Sequence, residues 1–556
     1  MDRYRRFLTL IALLFFTPLP LAVYLGYNSG GWRSALGCLA GEGVLALCYW
    51  CPIGALMSFY KARLWKRLLV GYLVSLPLYF LTLAAIYPLW GGTAFHPLAH
   101  GRLLIYLSAT PSFYGIVRLV HFLATSRAAN WARGAAAFAC AAGIGAPIYL
   151  AASTSMNWPN ESSHVVIIGA RIVDPASKRL IDGQNVYIAD GRIAEISPAS
   201  LHPDWPRIDA HGHYLVAGLI DVHTHIQSPV ELPAGFNLGF FVKSMVGRYG
   251  VQRRAYLANG ITAIRDLGGA ADENFGLRAD IRDKKTLGPR FFTSGRLVTS
   301  PKGHPASTIW SDEITRHGAI LATNEADLLA ALDQNFLAGP PDAVKIVHGT
   351  IGRAKEELSP ELMAVAIGWA DRHHLASIVH AESAREDEEA LRAGATGIEH
   401  TAYLQAVPDS LAQLVAERHP FLDPTFGEVQ THRNMDKLSA AEKDRLMQLS
   451  YRSVRELYRD GARIAIGTDA PMVRYGSGFH DELDHFERAG FQRAEILTFA
   501  TENNAAYLGK AGELGRIAAG FRADLVLTDA NPLEKLSTLR DPAWTMLDGQ
   551  IVFRRK

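Results

Sequence analysis

The hydrophobic pattern divides the chain in two. Residues 1–153 carry five long apolar stretches, at about 7–27, 36–58, 68–90, 103–124 and 134–152, interrupted by isolated charges. About twenty apolar residues suffice for a helix to cross a bilayer, so the pattern predicts an all-α transmembrane region of about five helices. A cleaved signal peptide is the rival reading of the first stretch, but four more follow and no small-x-small site ends it. Arg3, Arg5 and Arg6, then Lys61, Arg63, Lys66 and Arg67, then Arg127 and Arg133 fall on alternate sides, against only Arg33 and Arg102 on the others. Basic loops stay cytoplasmic. The expectation is therefore an integral membrane protein (in the cell inner membrane if bacterial) with a cytoplasmic N-terminus and an extracytoplasmic domain from residue 160 onward. Glu42, Arg118 and His121 read either as span-end residues or as an intramembrane polar site. Residues 154–163 read as a linker containing the sequon Asn160-Glu161-Ser162.

From residue 164 the period changes. Short β runs alternate with turn signals in HVVIIGARIVD and NVYIADGRIAEI, around Asp190-Gly191, and again in RADLVLTD and TMLDGQIVFRR, around Asp548-Gly549. Asp-Gly between alternating apolar residues is a hairpin signal. The two hairpin-rich ends, 164–215 and 509–556, are expected to form one small β-domain. Between them, over 216–508, strands are predicted near 217–223, 261–267, 290–295, 343–348, 376–380, 397–400, 420–425 and 463–468. Helices fit between several of them, with start signals at Ser359-Pro360 and Ser439–Glu442. Alternation of strand and helix predicts a parallel α/β barrel.

Composition changes the picture little. The chain has 556 residues and a formal net charge of +2, which favours neither nucleic acid nor an acidic partner. Its four cysteines, Cys38, Cys48, Cys51 and Cys140, all fall in the apolar part. The CxxC has no second pair or nearby His to complete a zinc site.

The candidate chemistry sits at the ends of predicted strands, where barrels carry function. His223 and His225 in GLIDVHTHI are two apart on a strand and point the same way. His380 in SIVHAES and His400 in GIEHTAY end later strands, and imidazole suits zinc and its neighbours. Taken singly, each also reads as a partly exposed or hydrogen-bonded histidine. Lys345 lies inside the apolar run AVKIV, where a charged ammonium is costly to bury. It reads as an ion-paired or snorkelling lysine, or as an amine made neutral by burial that adds carbon dioxide and becomes a metal-bridging carbamate. Asp469 in IAIGTDAP is placed to bind a metal and accept a proton from activated water, or simply to close a turn before Pro471.

Together GLIDVHTHI, AIRDLGG, VKIV, IVHAES, IEH, GTDA and the closing GRIAAGFRADLVL resemble the amidohydrolase superfamily, most closely its imidazolonepropionase and prolidase-like branch. The resemblance runs over about 164–556. It implies a (β/α)8 TIM-type barrel with a β-sandwich built from both ends of this part. It implies two divalent cations, zinc first among them. His223, His225 and Asp469 would hold one, His380 and His400 the other, and carbamylated Lys345 would bridge both. It implies metal-dependent hydrolysis of a C–N bond in a dipeptide, N-acyl amino acid or cyclic amide, with Asp469 as proton acceptor and donor. His304 in PKGHPAS falls where that branch places a substrate-touching histidine, although the loop is spelled differently. Arg265, Arg296 and Arg474 are candidate cations for a substrate carboxylate, Arg265 first. Glu382 stands one place earlier than in the deaminases' His-x-x-Glu, which favours two-metal hydrolysis over single-metal deamination. The expected partners are a small-molecule substrate and membrane lipid, not nucleic acid, with homo-oligomerisation left open. The alternatives are a membrane sensor or transport component with a non-catalytic barrel, and a mononuclear deaminase.

Overall fold

The structure, a computed structural model, describes residues 156, 158–159, 164–228, 230–232, 240, 244, 249–349, 354–400, 406–431 and 438–555. The five apolar stretches, the four cysteines and the sequon asparagine lie outside the described residues. The expected integral-membrane localisation is corrected: no helix among the described residues is long and apolar enough to cross a membrane. The 20-residue helix Ala440–Arg459 has the length but not the composition. Its sequence, AAEKDRLMQLSYRSVRELYR, is charged along one side and buries Met447, Tyr451, Val454 and Leu457 on the other.

Residues 156–241 and 250–556 form one compact unit. It opens with β1 (His164–Ile168), β2 (Arg171–Asp174), β3 (Arg179–Ile181), β4 (Asn185–Ala189), β5 (Arg192–Ser197), β6 (Arg207–Asp209) and β7 (Tyr214–Ala217). The barrel strands follow: β8 (Leu219–Thr224), β9 (Ile261–Asp266), β10 (Arg290–Thr293), β11 (Leu297–Thr299), β12 (Ala319–Leu321), β13 (Ala343–Val347), β14 (Ala376–Ala381), β15 (Gly397–His400), β16 (Phe421–Asp423) and β17 (Arg463–Ile464). The chain closes with β18 (Leu525–Thr528), β19 (Trp544–Leu547) and β20 (Gln550–Arg554).

The two ends of this part meet in one sheet. Its order is β20-β19-β18-β7-β2-β3, and β5-β4-β1-β6 form a second sheet. The hairpin turns hold Asp190 and Gly191 at φ 49° and 77°, and Asp548 and Gly549 at φ 49° and 74°. Positive φ at both positions is what Asp-Gly tolerates and most dipeptides do not. Inward residues of both sheets, including Ile167, Ile188, Leu215, Leu525 and Trp544, share one core.

All pairings among β8–β17 are parallel. Their strands are apolar and buried on both faces, as expected where helices cover a parallel sheet. β10 and β11 form one kinked course: β10 pairs with β9, while β11 pairs with β12 and β13. The kink falls at Gly295, whose φ is 65° and where any Cβ would lie 2.6 Å from the Phe275 ring. The short strands β11 and β12 have no counterpart in the predicted set, because three residues leave too little periodicity to read. The barrel closes where Val222 N donates to Ile466 O at 3.3 Å and Thr224 bridges Ala470. The helix caps follow the sequence signals: the Ser359 side chain accepts from Leu362 N, and Ser439 forms a capping box with Glu442.

Two contacts fasten the barrel to its surroundings. Arg290, at the start of β10, holds Asp524 at 2.9 Å and also Asp548, tying barrel to sandwich. Of the expected linker, Met156 and Trp158 are pinned: Leu287 N donates to Met156 O at 2.9 Å and Trp158 Nε1 to Thr286 O at 3.1 Å.

Candidate metal centre

Strand ends gather the chemistry. On β8, Thr224 turns its hydroxyl to Tyr256 Oη at 2.5 Å, so His223 and the following His225 face the other way. Asp469 lies across the barrel seam, its N–H donating to His223 O at 2.8 Å. Its φ of 52° is left-handed, a conformation Asp tolerates better than most residues, and turns the side chain back toward the histidines. Asp469 Oδ1 is 3.2 Å from His225 Nε2 and 3.4 Å from His223 Nε2. The ligand atoms of this triad lie within 4.8 Å of one another, a spacing that fits one cation. His225 Nδ1 points at Gly268 O at 3.0 Å, which leaves Nε2 inward.

His380, Lys345 and His400 complete the cluster. The His380 and His400 rings stand 4.0 Å apart, and His400 is 5.2 Å from His223 by ring centroids. His400 Nδ1 pairs with Thr425 Oγ1 at 2.6 Å. Among the described residues, Lys345 Nζ, His380 Nε2 and His400 Nε2 are buried with no hydrogen-bond partner. His223 Nδ1, Glu399 Oε2 and Asp423 Oδ2, beside them, are also without hydrogen-bond partners among the described residues; such atoms are costly to leave unpaired, and a cluster of them is accounted for by a ligand. The donor set of imidazoles, one carboxylate and one amine fits divalent cations of the zinc class.

Electrostatics separates the members. Burial lowers Lys345 toward its neutral amine, against the pull of Glu399, Asp469 and Asp423. Burial, with the Lys345 charge behind it, lowers His380 well below the ordinary histidine range; His400 is lowered likewise, by burial and His380. For Asp469, burial acts upward, but His223, His225 and His400 outweigh it and hold the carboxyl below its ordinary range. His225 goes the other way: burial acts downward, but the Asp469 carboxylate outweighs it and raises the imidazole. Neutral imidazoles and an ionised carboxylate are the forms that bind metal.

The remaining candidates are placed unevenly. His304 reaches the cluster's edge: its ring centroid is 5.8 Å from that of His380, and Nδ1 pairs with Thr308 Oγ1 at 2.7 Å. Glu382 Oε1 is 3.6 Å from His380 Nε2. Arg265 is not set out toward a ligand. It is buried, with Nε on Val222 O at 2.8 Å, Nη1 on Tyr507 O at 3.2 Å and its guanidinium 4.0 Å over the Tyr507 ring. Arg296 donates to Arg316 O at 2.8 Å, and Arg474 is exposed. None of the three is brought into the cluster.

Three carboxylates not singled out in the sequence stand beside it. Glu399 and Asp423 approach His223 Nδ1 at 2.5 and 3.7 Å. Asp221 accepts from His223 N at 3.2 Å and from Thr468 Oγ1 at 2.7 Å, stapling β8 to the segment that carries Asp469. The signal for each was a carboxylate inside an apolar run, in LIDV, GIEH and FLD.

A parallel barrel with side chains at its strand ends that could hold a metal has the layout of a metallohydrolase-type barrel protein. The sequence model of the amidohydrolase family matches residues 214–552, more than half of the chain, and the chain belongs to that family. It is 25% identical over 406 residues to an adenine deaminase of Rhizobium johnstonii, covering 70% of this chain but 57% of that protein. It is 23% identical over 416 residues to the ochratoxinase of Aspergillus niger, covering 69% and 85%. The structure of a Xaa-Pro dipeptidase with bound methionine superposes with a TM-score of 0.61 at 21% identity, over 71% of this chain and all of that one. These relatives are named as a deaminase, an ochratoxinase and a dipeptidase, and the chain spans 57% of the length of the first.

Proposed function

We propose that the chain hydrolyses the C–N bond of a small amide, such as a dipeptide, an N-acyl amino acid or a cyclic amide, with two divalent cations. The reading rests on one observation above others: buried nitrogens of Lys345, His380 and His400, without partners among the described residues, stand beside a preformed His–His–Asp triad. His223, His225 and Asp469 would hold one cation, His380 and His400 the other. Zinc suits this donor set. Lys345 would join the two after its neutral amine adds carbon dioxide, forming an N–C bond and releasing a proton. The cations, when bound, supply an activated water nucleophile and polarise the substrate carbonyl.

The chain's own residues do the rest. Asp469, held ionised, accepts the proton of the attacking water and passes it to the leaving nitrogen. His304 contacts substrate from the loop beside His380. Residues 216–508 form the catalytic barrel, with 164–215 and 509–556 as its composite sandwich. The Xaa-Pro dipeptidase and ochratoxinase likenesses support an amide substrate.

A second reading, a mononuclear deaminase, draws on the adenine deaminase likeness. The buried Lys345 and the position of Glu382, two residues after His380, weigh against it. A panel of dipeptides, N-acyl amino acids and adenine separates the two. Amine and carboxylate release from the amides is expected. Ammonia release from adenine, with the amides inert, would replace hydrolysis by deamination.

A further inference from the structure

A fully buried carboxylate is expensive unless its partners compensate it. Glu399 is fully buried in β15, immediately before His400. Successive residues of a strand face opposite ways, so a regular strand would not let both serve the barrel interior. His400 escapes this alternation because its φ is 74°. The strand end turns there, and both side chains become available to the metal cluster.

Each oxygen of Glu399 has a distinct neighbour. Oε1 accepts from Tyr507 Oη at 3.1 Å and lies 3.7 Å from Arg265 Nη2. Oε2 lies 2.5 Å from His223 Nδ1, an ion-pair approach in which the two atoms are not aligned as a hydrogen bond. Arg265 in turn is fixed to Val222 O, the carbonyl next to His223. Asp423 backs the same ring: Oδ1 accepts from Gly467 N at 2.9 Å and Oδ2 stands 3.7 Å from His223 Nδ1. Gly467 is what permits this approach, since a Cβ there would fall 2.2 Å from Asp423 Oδ2 and 2.4 Å from His223 Cβ. The far side of the His223 ring thus faces carboxylates, and its Nε2 faces Asp469.

We propose that Glu399, aligned by Arg265 and Tyr507, is the positioning residue of His223. Its charge, close behind Nδ1, favours the imidazole proton on that nitrogen and keeps the ring in one orientation, so that Nε2 is presented to the cation shared with His225 and Asp469. A carboxylate behind a ligating histidine fixes its tautomer and raises its basicity, and losing such a partner typically weakens metal binding about 10- to 100-fold. Arg265, expected from the sequence to meet substrate, serves this ring instead. The proposal rests on the binuclear reading above.

The test is metal affinity in the full chain. Wild type and Glu399→Gln are stripped of metal and titrated with zinc against a competing chelator, with cobalt absorption as a second readout. The first equivalent should bind about 10- to 100-fold more weakly in the variant, with an altered cobalt spectrum, while the second equivalent is unchanged. Glu399→Asp should recover part of the affinity, and it replaces Glu399→Gln if that variant does not fold. Equal affinity and an unchanged spectrum in both variants would overturn the positioning role while leaving the binuclear reading intact. Loss of a whole equivalent at saturating zinc would make Glu399 a direct ligand and overturn it too. Wild-type protein that binds no zinc would sink the binuclear reading, and this proposal with it.

Discussion

The joint between barrel and sandwich and the mouth of the barrel are both rich in buried charge, yet they treat it in opposite ways. At the joint, Arg290 engages Asp524 and Asp548, Arg522 adds a second contact to Asp548 at 3.2 Å, and Asp524 also accepts from Asp548 N at 2.9 Å. At the mouth, Lys345, His380 and His400 each keep a buried nitrogen without a partner among the described residues. Satisfied charge is what holds a fold together; unsatisfied ligand atoms are what a site tolerates for the sake of its ligand. The distinction is physical and does not depend on which substrate is turned over.

Four changes would break or sharpen this contrast. Asp469→Asn should cut turnover by about 10²- to 10⁴-fold, the usual range for a lost general acid–base group. The protein should still retain some metal on the histidines. Unchanged turnover in that variant would remove Asp469 from proton transfer.

Arg290→Ala acts on the other region. It removes the cation from Asp524 and leaves Asp548 to Arg522 alone, and breaking a buried pair costs about 3–5 kcal/mol. Denaturant unfolding should show that loss, while the folded fraction keeps its metal content. A loss of metal without loss of stability would mean that joint and mouth are coupled, against the contrast drawn above.

Lys345→Ala should lower activity by roughly a hundredfold, the scale of several kcal/mol of cation-based stabilisation. Short carboxylic acids should restore part of it by occupying the place of the carbamate. Full activity without added acid would refute the bridge.

The smallest effect is one of pH. His480 is buried, with Nε2 on Asn259 O at 3.0 Å and Nδ1 unpartnered among the described residues. Burial, helped by Arg540, lowers it from 6.5 to about 3. Below pH 6.5 the unfolded chain takes up a proton that the fold refuses. Its contribution is therefore complete above about pH 6.5 and is lost as pH falls toward about 3. The loss amounts to about 2 kcal/mol by pH 5. Unfolding of wild type and His480→Gln at pH 7 and pH 5 should show their stability difference shrinking in acid; a constant difference would deny the buried neutral imidazole.

How much of this was legible in the sequence follows from range. The strand-end candidates were visible because spacing within one strand and one apolar run is local. His223 and His225 are two residues apart, and Lys345 is a lone charge in AVKIV. Glu399 and Asp423 were not singled out, because strand alternation places Glu399 opposite His400 and only the left-handed turn at His400 reverses that. Arg265 was read toward substrate because nothing in ITAIRD reveals that its guanidinium is capped by Val222 O and Tyr507 O, 43 and 242 residues away. The kinked course of β10 and β11 was likewise hidden, since it depends on Gly295 meeting Phe275 from a different element.

The most direct test of the central claim is metal content. The purified full-length chain would be measured by elemental analysis before and after incubation with zinc and bicarbonate. The account predicts about two cations per chain after loading, through the pair held together by Lys345. One cation whatever the treatment would contradict the bridged pair and favour the mononuclear deaminase, and none would contradict a metallohydrolase altogether.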